Sequence, residues 1–275
     1  MKQAILSLAF SAIYFTAFSQ GNDSIPNQQL AECWVSNLPT DRPGQSYNAQ
    51  TLFKNQWQLQ AGVNWGKFYN FNRGKDFDIT SLPVDIRYGI TNKLEIMLSP
   101  SFGFATVPGG GGIEYTLSSY GASLRYSIFE NKPFGNLGAM ANYEYSTYES
   151  GLETLNTYRI RLMYSVPLGQ IITFTTNVGL ATVSSGPDYI PYTVNFSFAV
   201  SPKFGFYAEA YGDLVLSELD GVENPFFFDL GLYFLKSASF QFDAGYNRGG
   251  TSEYTDDYAF VGISYRFGCY KKSSL

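Results

Sequence analysis

Apolar and polar side chains alternate with a period of two through most of the chain beyond residue 56. In 240–247, Phe240, Phe242, Ala244 and Tyr246 share one phase, while Gln241, Asp243, Gly245 and Asn247 share the other. After a polar loop the pattern returns in 258–267, where Ala259, Val261, Ile263, Tyr265 and Phe267 oppose Tyr258, Phe260, Gly262, Ser264 and Arg266. Successive side chains of a strand point to opposite faces, so each segment reads as a strand with one apolar and one polar face. The same pattern predicts strands at 56–65, 82–88, 94–103, 120–128, 137–145, 158–166, 172–180, 192–200, 204–214 and 226–234. Twelve strands and no helix result, an all-β chain.

The placement of charge decides what kind of sheet this is. The polar phase holds Asp85, Arg87, Glu95, Arg125, Glu144, Arg159, Arg161, Glu209, Asp213, Asp229, Asp243 and Arg266, and the apolar phase of the same segments holds no charge. A soluble sandwich buries its apolar faces and would not pack a dozen charges against them. A closed barrel in lipid does the reverse, because Arg or Lys facing mid-bilayer costs roughly 2–4 kcal/mol and closure pairs every backbone group without water. The connections alternate as well: long ones begin near residues 67, 104, 147, 183, 217 and 248, and short ones lie near 90, 132, 168, 202 and 237. Short periplasmic turns and longer external loops are the pattern of outer-membrane barrels. The prediction is one antiparallel transmembrane β-barrel of about 12 strands, residues 56–267, with both chain ends in the periplasm. Aromatic girdles are expected from Trp57, Trp65, Tyr126, Tyr145, Tyr164, Tyr192 and Tyr265.

Composition fits this picture. Of 275 residues, 18% are aromatic and only 15% charged, against about 25% charged in average soluble chains. Mean hydropathy lies near zero, as expected where lipid-facing and inward residues cancel. Residues 1–19 read as a secretory signal peptide: Lys2, an apolar core over 4–18, and small residues Ala17 and Ser19 before the cleavage point. The apolar run is shorter than the roughly 20 residues a spanning helix requires. Its removal makes the formal charge of −5 one unit more negative, which argues against nucleic acid as a partner. Outer-membrane lipid and the barrel-assembly machinery are the expected partners, together with a small solute. Two cysteines, Cys33 and Cys269, flank the strands. In an exported chain they are either a disulfide or two unrelated thiols. The chain has no histidine, which removes Ser-His and Cys-His nucleophiles and histidine-zinc sites. The Gly109–Gly112 run lacks the Lys-Ser/Thr of a phosphate loop. No cofactor, metal or catalytic residue is expected.

The stretch Gly262, Tyr265, Phe267 resembles the terminal-strand signal of bacterial outer-membrane barrels, with Phe260 where that signal carries a polar residue. The chain runs on through a short tail, 268–275. Leu38-Pro-Thr-Asp-Arg-Pro-Gly-Gln-Ser46 resembles a motif of an outer-membrane "transporter" family named after the meta-pathway of phenol degradation. The strand Gln56–Gly62, the Arg87-Tyr-Gly-Ile-Thr91 core and the closing Gly262–Phe267 are similar to that family too. Gly44 departs from it, standing where many members carry an acidic residue. The resemblance implies a porin-like barrel in the outer membrane of a Gram-negative bacterium, serving passive uptake of small, aromatic or apolar solutes. The competing expectation is a non-conducting structural or partner-docking barrel.

Two features bear on that choice. Residues 20–55 lack alternation and form an N-terminal segment in which Asp41 and Arg42 lie between Pro39 and Pro43. The segment is expected either to enter the periplasmic mouth as a plug, pairing with inward charges, or to be an irregular leader to the first strand. Arg87, Arg125, Arg159 and Arg161 fall on strands two to six, and Glu209, Asp213, Asp229 and Asp243 on strands nine to eleven. A basic arc therefore faces an acidic arc. Across a wet lumen they set ion preference; across a filled one they close into ion pairs.

Overall fold

Twelve antiparallel strands close into one barrel in the computed structural model, which describes residues 38, 40–42, 44–70, 75–106, 113–148, 153–216, 224–250 and 257–267. The predicted signal peptide, Cys33, Cys269, Gly109–Gly112 and the tail 268–275 lie outside the described residues. In chain order the strands are β1 Trp57–Asn70, β2 Lys75–Gly89, β3 Leu94–Thr106, β4 Ile113–Lys132, β5 Gly135–Tyr148, β6 Glu153–Leu168, β7 Ile172–Val183, β8 Tyr189–Ala199, β9 Phe204–Val215, β10 Phe226–Ser237, β11 Phe240–Gly249 and β12 Asp257–Phe267. Each pairs with its neighbours in sequence, and β1 pairs with β12 from Trp57 opposite Phe267 to Lys67 opposite Asp257. The start of β1 and the end of β12 therefore share one rim, together with the short turns.

The strands overrun the predicted segments, mostly at the opposite, loop-bearing rim. β2 begins at Lys75 rather than 82, and β4 at Ile113 rather than 120. In these extensions the outward phase turns polar, with Asp78 and Thr116 exposed. A strand that has left the lipid keeps its ladder but no longer needs an apolar outer face, so alternation ends before pairing does. The overrun also removes the strict alternation of connection lengths: Asn70 to Lys75 and Gly89 to Leu94 are bridged by equal spans. Outward charges appear only near strand ends, as with Lys67, Lys236 and Arg248.

Between these margins the outer wall is continuous hydrocarbon. Leu98, Leu162, Leu230, Leu232, Phe234 and Val261 all point outward and are exposed. Trp57 and Trp65 flank this band on β1, and Trp57 packs on Tyr88 with ring centroids 4.5 Å apart. The inner wall holds the buried polar residues, among them Gln58, Gln60, Arg87, Glu95, Arg125, Asn177, Asp229 and Asn247. It is not polar throughout. Phe77 and Ala105 are fully buried near the loop rim, with Ile79 and Leu117 against them.

One irregularity has a covalent origin. Pairing between β1 and β2 lapses between Val84 and Ser81, and pairing between β2 and β3 lapses between Pro83 and Ile86. Pro83 has no N–H to give the ladder. Across the seam Gly62 pairs with Gly262, so the inner wall is thin where the ladder is weakest.

The lipid-facing reading predicts a steep penalty for charge on the outer wall. Leu232→Arg, in the middle of β10, should destabilise the barrel by roughly 2–4 kcal/mol, read as a lower urea midpoint and loss of the heat-modifiable gel band. Thr116→Arg, on the part of β4 beyond the lipid, should leave both unchanged.

Candidate functional site

The described residues between Leu38 and Leu52 lie inside the barrel. Lys54 and Asn55 form the turn that feeds β1: Gln56 N donates to Phe53 O at 3.1 Å, and Asn55 adopts φ 65°, a value that asparagine tolerates better than most residues. The turn is pinned to the rim because Asn55 N donates to Gly89 O at 2.8 Å and Gly89 N to Gln56 O at 3.0 Å. Upstream, the segment crosses the lumen and bonds to most of the inner wall. Thr40 Oγ1 donates to Gln60 Oε1 at 3.0 Å and lies 2.8 Å from Ser264 Oγ. Leu52 N donates to Glu95 Oε2 at 2.8 Å. Asn177 clamps Tyr47 at both ends of one residue, accepting from its N–H at 2.7 Å and donating to its carbonyl at 3.0 Å.

Asp41 is the hub. Its Oδ1 accepts the Asn48 N–H at 2.8 Å, folding the segment on itself. Its Oδ2 receives Arg125 Nη2 at 2.6 Å and lies 3.4 Å from Arg87 Nη1. Arg87 grips Glu95 with two parallel bonds, Nε to Oε1 at 2.7 Å and Nη2 to Oε2 at 2.9 Å. Arg125 Nη1 stands 3.7 Å from the same Glu95. Two carboxylates and two guanidiniums thus neutralise one another in a site closed to solvent. Burial alone would raise the Asp41 pKa, but the Arg125 and Arg87 charges outweigh it and hold the carboxyl below the usual carboxylate range.

Arg42 turns the other way. Its Nη2 and Nε donate to Asp243 Oδ1 at 2.9 and 3.1 Å, and its guanidinium stands 5.8 Å from the Phe260 ring centroid. The guanidinium lies against Gly62 and Gly262, where a Cβ on either would come within 2.7 Å of it. Two glycines facing each other across the β1–β12 seam make the berth for this side chain. Gly44 follows with φ 97°, and a Cβ there would meet Glu209 at 2.6 Å. An acidic residue at 44 would add a second carboxylate beside Glu209, which gives a physical reason for the glycine. Glu209 itself accepts the Gln45 N–H at 2.6 Å and the Ser46 hydroxyl.

The basic and acidic arcs therefore do not face each other across open space, and they do not pair directly. The segment stands between them, offering Asp41 to Arg87 and Arg125 and Arg42 to Asp243. The remaining inward charges divide. Arg159 Nη1 bonds to Glu144 at 2.5 Å. Asp229 accepts the Tyr207 hydroxyl at 2.7 Å, and Arg266 Nη2 donates to Ala238 O at 2.8 Å. Arg161 lies 4.9 Å from the Tyr47 ring centroid. Among the described residues Arg161, Asp85 and Asp213 have no ion pair. Polarity patterning missed the apolar anchor of the segment, Ala49 packed among Met97, Met140 and Met163. The signal was present: every methionine after Met1 stands in the polar phase of its strand.

Space remains on both faces of the segment. Toward the loop rim lie a cavity of about 340 Å³ bordered by Tyr47, Asn64, Asp85, Tyr258 and Phe260 and one of about 130 Å³ bordered by Asp85, Ser99, Asn142, Arg159 and Arg161. Toward the turn rim lies one of about 170 Å³ bordered by Thr40, Thr173, Ser197, Tyr233 and Gln241.

No family model and no curated protein matches the chain. Solved structures do. The KdgM porin in complex with disordered oligogalacturonate is similar over 78% of this chain and 99% of its own, at 8% identity and a TM-score of 0.53. The beta domain of the Bordetella autotransporter BrkA is similar over 78% and 100%, at 10% identity and a TM-score of 0.52. The NanC porin follows over 76% and 98%, at 9% identity and 0.50. At such identities the likeness establishes the fold, a twelve-strand barrel of outer-membrane type.

Asp41→Ala takes from Arg125 its 2.6 Å carboxylate partner and from Arg87 one of its acids, a loss of the kind that costs roughly 3–5 kcal/mol. The expected result is fast hydrogen exchange and proteolysis over 40–54 in an otherwise intact barrel. Because the Asp41 pKa is lowered, its contribution is complete above the free carboxylate value near 4 and disappears as pH falls through the folded value. In the wild type, hydrogen exchange should therefore show release of the segment only below about pH 4.

Proposed function

We propose that the protein is a passive outer-membrane channel for small polar solutes, closed at rest by residues 38–56. One observation carries this reading: a single layer of chain, held by charge contacts and hydrogen bonds, separates cavities that face opposite rims. Leu38, Ala49 and Leu52 are the segment's buried apolar side chains, and most of its other contacts are charge contacts and hydrogen bonds that water and solute can replace. The charged inner wall favours polar solutes over the apolar or aromatic ones suggested by the sequence resemblance. A barrel of this fold is described holding an oligogalacturonate, which agrees with a polar cargo. In this reading the chain lies in the outer membrane of a Gram-negative bacterium with the turn rim in the periplasm. Leu38–Ser46 is then the plug form of the motif it resembles, and residues 1–19 are removed on export.

A second reading has its own support. The cluster of Asp41, Arg87, Glu95 and Arg125 is sealed and self-neutralising, as a permanent closure would be, and a barrel so closed would serve structure or docking. Conductance of the full mature chain in planar bilayers separates the two. The channel reading expects rare, brief openings in the wild type and at least tenfold more open time in Asp41→Ala with Arg42→Ala. Silence of both proteins across solutes and voltages would leave the structural barrel.

A further inference from the structure

The two loop-side cavities share Tyr47, Pro83, Asp85 and Glu144 in their walls. They adjoin above the segment, a polar chamber in two parts with these residues between them. Most of its charged groups are matched: Glu144 by Arg159, Asp41 by Arg125, Arg42 by Asp243. Two are not. Arg161 rests its guanidinium plane near the Tyr47 ring, its Nε has no hydrogen-bond partner, and no described carboxylate lies within ion-pair reach. Asp85 borders both cavities and likewise has no described cation in ion-pair reach. Asp213, Glu209 and Asp229 also lack an ion pair among the described residues, but none of them borders either cavity, and Glu209 and Asp229 are held by hydrogen bonds from Gln45, Ser46 and Tyr207.

One unmatched cation and one unmatched anion in a shared chamber define what fits. A simple anion gains Arg161 but meets the repulsion of Asp85. A simple cation meets the reverse, and a neutral sugar can hydrogen-bond to both groups but brings a countercharge to neither. A molecule carrying both charges satisfies both, and charge-assisted hydrogen bonds to guanidinium and carboxylate are the strong kind. The smaller cavity, about 130 Å³, suits the charged core of an α-amino acid. The larger, about 340 Å³ with Tyr47, Tyr258 and Phe260 in its wall, has room for a side chain or a second residue.

We propose that this chamber binds small zwitterions, α-amino acids and short peptides, with Arg161 taking the carboxylate and Asp85 the ammonium group. The assignment gives the proposed channel its solute class and rests on that reading for its purpose. The site itself is tested without any current. Titration calorimetry on the full mature chain in detergent, in a non-zwitterionic buffer, compares alanine and dialanine with propionate, ethylammonium and glucose. Wild type should bind alanine or dialanine at least tenfold more tightly than the three singly charged or neutral probes. Arg161→Gln should weaken alanine and propionate alike by tenfold or more. Asp85→Asn should weaken alanine while leaving propionate equal or tighter, so that the preference collapses. A heat-modifiable band on unboiled gels shows that each variant is folded. Propionate binding as tightly as alanine, no binding of either zwitterion, or unchanged alanine binding in folded variants would overturn the site. Potassium chloride conductance of the same preparation keeps the two ideas apart. A conducting barrel that ignores amino acids loses the site and keeps the channel, while a silent barrel that binds them keeps the site and loses the channel.

Discussion

Hydrocarbon solvates neither a peptide group nor a charged side chain, and that constraint organises the whole molecule. It forces the backbone to satisfy itself, which for strands means closure of β1 onto β12. It also sends every charge in the spanning part of a strand to the inner wall. The inner wall then has a problem of its own. Arg87, Glu95, Arg125, Glu209, Asp229 and Asp243 are nearly or fully buried, and groups of that kind are costly unless each finds a partner. Neighbouring strands supply some partners, as Glu95 does for Arg87. The rest come from a segment that belongs to no strand. The segment within the barrel thus answers the same constraint that makes the outer face apolar.

Fold and location in the chain were legible because the period-two rule acts on every strand and is enforced by the bilayer. The same rule explains where reading stopped. Beyond the lipid, as at the start of β4, pairing continues without alternation, and strand ends become invisible. Asp41 and Arg42 stood out as an adjacent acid and base between two prolines, but nothing in the sequence says which wall each would meet. That depends on a chain crossing a ring of twelve strands, a three-dimensional fact with no local signature. Gly62 and Gly262 each look like ordinary weak points in a strand. Only the register that places them opposite each other, with a guanidinium between, shows their role. The methionines differ: Met97, Met140 and Met163 stand in the polar phase, so their inward position was readable from the alternation alone.

The inner wall also shows why polarity alone is a coarse guide. Asn177 and Glu209 lie in the same phase as residues bordering water-sized spaces, yet they hold the plug's backbone. Asp85 and Arg161, in that same phase, form no ion pair among the described residues, and Arg161 meets the ring of Tyr47. Phase tells which side of the wall a residue is on. What it does there depends on what else occupies the lumen.

The berth of Arg42 carries a consequence for assembly. Gly62 belongs to the first strand and Gly262 to the last, so the space the guanidinium occupies does not exist until the ring is shut. The segment is made first, being N-terminal, but it can be seated last. Asp41 and Leu52 find their partners on β2, β3 and β4, but Arg42 has no berth until β12 is in place. Closure of the seam and seating of Arg42 then become one event. A barrel that has not closed leaves that guanidinium without its berth, whatever else of the segment has docked.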